Sequence, residues 1–183
     1  AGTNAASRMV CIIDSGYARG HADLSAGTNV TGEYDSGTGW WYTDENHHGT
    51  HVAGSISALN NAGTGVVGVS ENASLRLHIV KVFDAAGWAY SSTLTNAAEK
   101  CRLAGANVIS MSLGGALSSR TEDTKFKQLL GTYNILPIAA AGKLLGVEWL
   151  DKLVFVWTAI GTVIFLLLLP LPGRVGGRLL AAL

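Results

Sequence analysis

The chain has 183 residues, a formal net charge of zero, 48% hydrophobic and 14% charged residues, and a mean hydropathy of +0.29. Globular chains carry about 25% charged residues, so this one is poor in charge, and its zero balance argues against a nucleic-acid partner, which calls for a basic excess. Its 23 glycines against three prolines exclude collagen-like and proline-rich disordered classes, and two cysteines are too few for a disulfide scaffold.

In chain order, residues 10–13 form a short apolar run closed by Asp14-Ser15-Gly16, which predicts a buried strand and a turn. Residues 17–46 are rich in Gly, Asp, Asn, Ser and Thr, with Tyr34, Trp40, Trp41 and Tyr42 among them, and read as loop. A helix of small residues is predicted over 50–59, where Val52, Ile56 and Leu59 fall at helical spacing. A strand over 75–83, a helix over 92–104 and a strand over 107–111 follow. A helix over 122–130 and a strand over 135–140 complete the pattern. Strands separated by helices predict an α/β fold built on a parallel sheet with flanking helices. In such sheets functional groups gather beyond the carboxyl ends of the strands, which puts Asp14 and Ser112-Leu113-Gly114-Gly115 on one rim. Cys11 and Cys101 either pair in an oxidising compartment or pack as two small buried hydrophobes.

The averages conceal a seam. Residues 1–142 hold nine Lys/Arg and eleven Asp/Glu, a charge of −2, whereas residues 143–183 hold four and two, a charge of +2. The second piece has no Asn, Ser or His, and the last serine of the chain is Ser119. Two unlike pieces are therefore expected, a polar domain over 1–142 and a hydrophobic tail over 143–183. Within the tail, 153–169 is an uncharged, largely apolar run of 17 residues. As a helix it would extend roughly 25 Å, at the short edge of a membrane span. Trp149 and Trp157 stand near one end, and Arg174 and Arg178 follow the other, a bias that puts the C-terminus on the cytoplasmic side. A buried core helix and a segment joined out of frame are the competing readings.

The chemistry concentrates in His47-His48-Gly49-Thr50-His51-Val52-Ala53-Gly54. His48 stands at a helix start, where the positive end of the dipole disfavours imidazolium and favours the neutral form that a general base needs. Asp14 offers a carboxylate to orient that imidazole and stabilise its charged form during turnover. The small Gly54 is expected to let the helix approach a neighbouring backbone. A metal site from His47 and His51, four apart on one face, is the weaker alternative, because the run lacks a His-Glu-x-x-His arrangement.

These segments resemble the subtilisin-like serine peptidases. Ile12-Ile13-Asp14-Ser15-Gly16 is similar to that family's aspartate motif, and His48-Gly49-Thr50-His51-Val52-Ala53-Gly54 to its histidine motif. Ser112-Leu113-Gly114-Gly115 resembles the edge segment that pairs with the substrate backbone. Ile138-Ala139-Ala140-Ala141-Gly142 resembles the strand leading to the oxyanion-hole asparagine. The resemblance implies a subtilisin-like fold over about 8–142, catalytic roles for Asp14 and His48, a polypeptide substrate, and a secreted or extracytoplasmic location; the hydropathy of the tail makes it a candidate membrane anchor. It also implies structural Ca2+, with Asp23 of His21-Ala22-Asp23-Leu24 and Asn61 of the loop over 59–66 as ligands of the oxygen type that suits a hard cation.

Departures from the family pattern limit what the chain is expected to do. The family's nucleophile is a serine far downstream in a Gly-Thr-Ser-Met-Ala-like turn, and no serine follows Ser119. Lys143 stands where the oxyanion asparagine belongs, and its flexible stem would not place a donor as an amide does. Ser15, Ser55, Ser110 and Ser112 lack a nucleophile-elbow setting and read as structural. The expectation is an incomplete, processed or partial catalytic domain, inactive by itself. The alternative is a membrane-tethered pseudopeptidase that binds extended peptides along 112–115 by strand addition.

Overall fold

The computed structural model describes residues 8–61, 63, 65–70, 75–85, 89–114 and 119–138. Five strands form one wholly parallel sheet: β1 (Met9–Asp14), β2 (Val30–Gly32), β5 (Arg76–Lys81), β6 (Val108–Ser110) and β7 (Leu136–Ile138), in the order β2-β5-β1-β6-β7. A second, two-stranded antiparallel sheet pairs β3 (Tyr34–Asp35) with β4 (Gly39–Trp40). The helices are α1 (His48–Ser57), α2 (Ser91–Leu103) and α3 (Arg120–Tyr133).

Strand alternation assigns the helices to faces. Cys11 and Ile13 of β1 and Val80 of β5 pack with Ala97, Ala98 and Cys101 of α2 and Phe126 and Leu129 of α3. Ile12, Leu77 and Ile79 point the other way and meet Val52, Ala53 and Ile56 of α1, together with Tyr17 and Trp41. Covered on both faces, β1 is apolar at every position but its last, and β5 carries the apolar run Leu77, Ile79 and Val80 between Arg76, His78 and Lys81. Burying an aliphatic or aromatic side chain is worth about 1.5–3 kcal/mol, so these two layers hold the sheet flat against its helices.

Three local devices set the helix limits. Ser119 caps α3 by accepting from the Glu122 N–H at 3.3 Å, Glu122 and Asp123 add negative charge to the first turn, and left-handed Asn134 (φ 53°) closes it. In α2, Lys100 and Arg102 occupy the last turn, where cations suit the dipole. At the start of α1 the N-cap position is His47 in left-handed geometry (φ 68°), and its side chain makes no cap.

The expected α/β fold with a parallel sheet and flanking helices is what the chain adopts. The loop expected over 17–46 needs correction, because it contains β2, which pairs with β5 along Val30↔Leu77 to Gly32↔Ile79, and the β3–β4 hairpin. Cys11 and Cys101 form a disulfide between β1 and α2, with Cα atoms 5.6 Å apart. The tail over 143–183, including the apolar run over 153–169, lies outside the described residues, as does the 139–142 end of the last motif. Among the described residues no helix is long and apolar enough to cross a membrane.

Candidate active site

Because every strand of the main sheet runs the same way, the carboxyl ends of β1, β5 and β6 share a rim. β1 ends on Asp14, which is fully buried and lies in register with Lys81 at the end of β5. His48, the first residue of α1, brings its Nδ1 to 2.8 Å from Asp14 Oδ1, while its side chain remains 47% exposed. The Ser15 N–H donates to the same Oδ1 at 2.7 Å, and the Ser15 hydroxyl approaches it at 3.3 Å. An ionised carboxylate only accepts, so the short contact requires that Nδ1 carry the proton, which in the neutral imidazole leaves Nε2 bare. Burial raises the Asp14 carboxyl above its ordinary value, against the lowering pull of the bonds from His48 and Ser15. Asp14 Oδ2 finds no partner among the described residues, in keeping with burial as the dominant effect.

The first N–H groups of a helix need acceptors from outside it. Here Ser15 Oγ accepts from the Gly49 N–H at 2.9 Å. Asp44 Oδ2 accepts from the Thr50 N–H at 2.8 Å and the Thr50 hydroxyl at 2.5 Å, and Asp44 Oδ1 accepts from the His47 N–H at 2.9 Å. Burial pushes the Asp44 carboxyl up, but the bonds from Thr50, Ser15 and His47 outweigh it and hold it below the usual carboxylate range. Thr50 Oγ1 in turn accepts from the Ala18 N–H at 3.0 Å, fastening the turn after β1 to α1. The neighbour of Asp14 and a carboxylate four residues ahead of His48 thus cap one helix together.

Two glycines make that approach geometrically possible. A Cβ on Gly49 would lie 2.3 Å from the Gly16 carbonyl oxygen and 2.9 Å from its nitrogen. Gly16 itself adopts φ +126°, and a Cβ there would fall 1.9 Å from the Thr43 carbonyl oxygen. The close approach expected of Gly54 belongs to Gly49 instead: a Cβ on Gly54 meets nothing within 4 Å among the described residues.

Ser112 and Gly114 lie exposed beyond the end of β6, and Leu113 is half-buried against the α2–α3 side of the core. Gly115 lies outside the described residues. Asp23 is buried at the base of the loop over 59–66. Its Oδ2 accepts from the Val66 N–H at 2.8 Å, and the Asn61 amide donates to the Ala22 carbonyl at 2.9 Å. Among the described residues Asp23 Oδ1 and Asn61 Oδ1 are both buried without a hydrogen-bond partner, two oxygens of the kind a hard cation satisfies. Among the described residues no three His, Cys, Asp or Glu side chains converge as a metal site, so His47 and His51 gain no third ligand of these types.

The parallel sheet thus ends its central strand on a buried aspartate bonded to the histidine that opens the adjoining helix. The profile of the Subtilase family matches residues 6–151, and the chain belongs to that family. It is 40% identical over 145 residues to subtilisin DY of Bacillus licheniformis, spanning 77% of this chain and 49% of that protein. With subtilisin E of Bacillus subtilis (strain 168) it shares 39% over 136 residues, 73% of this chain and 33% of the other. The psychrophilic subtilisin-like protease Apa1 from the Antarctic psychrotroph Pseudoalteromonas sp. AS-11 superposes with a TM-score of 0.64 at 52% identity. That match covers 70% of this chain and 30% of Apa1. The chain thus spans half or less of the length of these relatives.

Asp14 and His48, expected as a pair from their motifs, are brought together by the fold, whereas Asp44, Ser15 and Lys81 beside them carried no such expectation. A cap residue a few positions ahead of a helix start was the available signal for Asp44. A lysine inside the apolar run Ile79-Val80-Lys81-Val82-Phe83 was the signal for a buried charge.

Proposed function

We propose that these residues are the N-terminal part of the catalytic domain of a serine endopeptidase, supplying its general base and the carboxylate that orients it. The observation that carries this reading is the 2.8 Å contact between buried Asp14 Oδ1 and the Nδ1 of half-exposed His48. With its proton fixed on Nδ1, His48 presents a bare Nε2 to a serine hydroxyl. Nε2 accepts the hydroxyl's proton as the serine oxygen attacks the peptide carbonyl, then gives it to the leaving amine. Asp14 holds the ring and stabilises the imidazolium between those two steps. Ser112-Leu113-Gly114-Gly115 would receive the substrate backbone as an added strand, the exposure of Ser112 and Gly114 beyond the end of β6 supporting that role.

The nucleophile is not among the 183 residues in a family-like setting, since residues 120–183 contain no serine. Of the earlier serines near the site, Ser15 is bonded to Asp14 and Gly49, and Ser55 Oγ donates to the His51 carbonyl within α1. The polypeptide by itself is therefore inactive, with peptide binding along 112–115 as the function left to it. A fluorophosphonate probe, which captures activated serines, is expected to leave its mass unchanged. Stoichiometric labelling of any serine would overturn the inactive reading.

Asp23 and Asn61 would hold Ca2+, which cross-links the loop over 59–66 to the turn before Leu24 and takes no part in the chemistry. Saturating calcium at about 100 times its Kd adds about 2.7 kcal/mol to a folded state that alone binds it. A calcium-dependent rise in Tm is expected for the chain and not for Asp23→Ala, and equal rises in both would exclude this pair as ligands. The Cys11–Cys101 disulfide supports an extracytoplasmic location, where such bonds form and persist.

A further inference from the structure

Lys81 has no role in the chemistry above, yet it ends β5 directly opposite Asp14, with its side chain wholly buried. An ammonium removed from water costs several kcal/mol unless its donors are satisfied. Here all three are occupied: the Thr43 carbonyl at 3.2 Å, the Thr43 hydroxyl at 3.0 Å, and Glu45 Oε2. The stem runs under Gly16, its Cδ 3.3 Å from where a Cβ would stand, so the glycine after Asp14-Ser15 opens the passage. The Lys81 carbonyl also accepts from the Thr38 hydroxyl at 2.8 Å, joining the same segment from the β3–β4 side. Bonding to Lys81 holds the exposed Glu45 carboxyl below the usual range.

The residues gripped by the ammonium flank Asp44, and Asp44 caps the helix that begins with His48. We infer that Lys81 is a positioning residue for His48: by pinning Thr43 and Glu45 it sets the Asp44 carboxylate against the N-terminus of α1 and so fixes the histidine on Asp14. The chain of contacts runs from β5 through the 43–45 segment to α1, alongside the direct Asp14–His48 bond. The inference rests on the reading of Asp14 and His48 as a dyad, but its geometry can be tested without catalysis.

The test is amide exchange and proton NMR on the full chain and on Lys81→Met, which keeps the length of the stem and removes the charge. Exchange at Gly49 and Thr50 is expected to rise by about tenfold or more, as local opening of the first turn becomes easier. The downfield resonance of the His48 Nδ1–H is expected to broaden or vanish, while Ile12 and Ile79 of the central strands keep their protection. A folded Lys81→Met chain with unchanged Gly49 and Thr50 exchange and an unchanged Nδ1–H resonance overturns the inference. Should that variant not fold, Glu45→Ala decides, since it trims an exposed side chain and removes one of the three acceptors. An increase of about threefold at the same two amides supports the tether, and no increase overturns it. Absence of the downfield resonance from the unaltered chain would count against the dyad alone, and the two amides would still report on Lys81.

Discussion

Gly49→Ala is expected to lower stability by about 3 kcal/mol or more, a loss at the severe end for a single substitution. The added Cβ would stand 2.3 Å from the Gly16 carbonyl oxygen, and both neighbours are backbone. No rotamer change relieves such a clash. Gly16 is itself closely packed, since a Cβ built on it would fall 1.9 Å from the Thr43 carbonyl oxygen that Lys81 holds. The helix must therefore shift away from β1, giving up the Ser15–Gly49 cap and the Asp14–His48 bond. Ser55→Ala, on the same helix but remote from that contact, is the control and should stay within about 0.5 kcal/mol. Urea midpoints measure both. Equal midpoints would show that α1 docks without needing the close approach.

Breaking the Cys11–Cys101 bond is the second large effect. The cysteines are 90 residues apart, both are fully buried, and they bolt α2 to the strand that ends in Asp14. Closing a loop of that length in the unfolded chain accounts for about 4–5 kcal/mol in the chain-entropy treatment, and measured losses commonly run 2–5 kcal/mol. The double variant Cys11→Ala/Cys101→Ala should fall in that range by denaturant unfolding, with added loss from the space left in the core cluster that also holds Ala97 and Ile109. A fall below about 1 kcal/mol would mean that the pair contributes packing and little else.

What could be read from the sequence follows from burial. β1 and β5 are covered on both faces, so their apolar runs announce them, and α2 and α3 carry recognisable apolar stripes. The N-terminus of α3 lies at Arg120, two residues before the predicted start, because Ser119 supplies the cap. β2 escaped because Val30-Thr31-Gly32 has one buried side chain and becomes a strand by pairing with β5, which no local pattern encodes. The β3–β4 hairpin has two residues per strand and ends in aromatics that stack on one another, Trp40 on Tyr42 at 5.2 Å. A stretch rich in glycine and polar residues hides such elements.

The site divides in the same way. Asp14 and His48 were legible because a strand end and a helix start each carry a motif. Their supports were not, since Lys81 lies 67 residues from Asp14 and meets the 43–45 segment only through the fold. The beginning of α1 at His48 rather than at Thr50 has the same origin. Its caps come from Asp44 and from Ser15, so the position that would ordinarily cap the helix, His47, is free to be a left-handed histidine. Likewise Gly54 drew notice as the small residue within the helix, whereas the contact that needs glycine lies at Gly49, beside the histidine itself.

The central claim is that His48 is held as a base, with its proton on the nitrogen facing Asp14. Nitrogen NMR of the His48 ring at about pH 8.5, where an ordinary imidazole is neutral, tests this most directly. The account predicts the tautomer with the proton on Nδ1 and a bare Nε2. A proton residing on Nε2, or the averaged signal of a freely rotating imidazole, would contradict it.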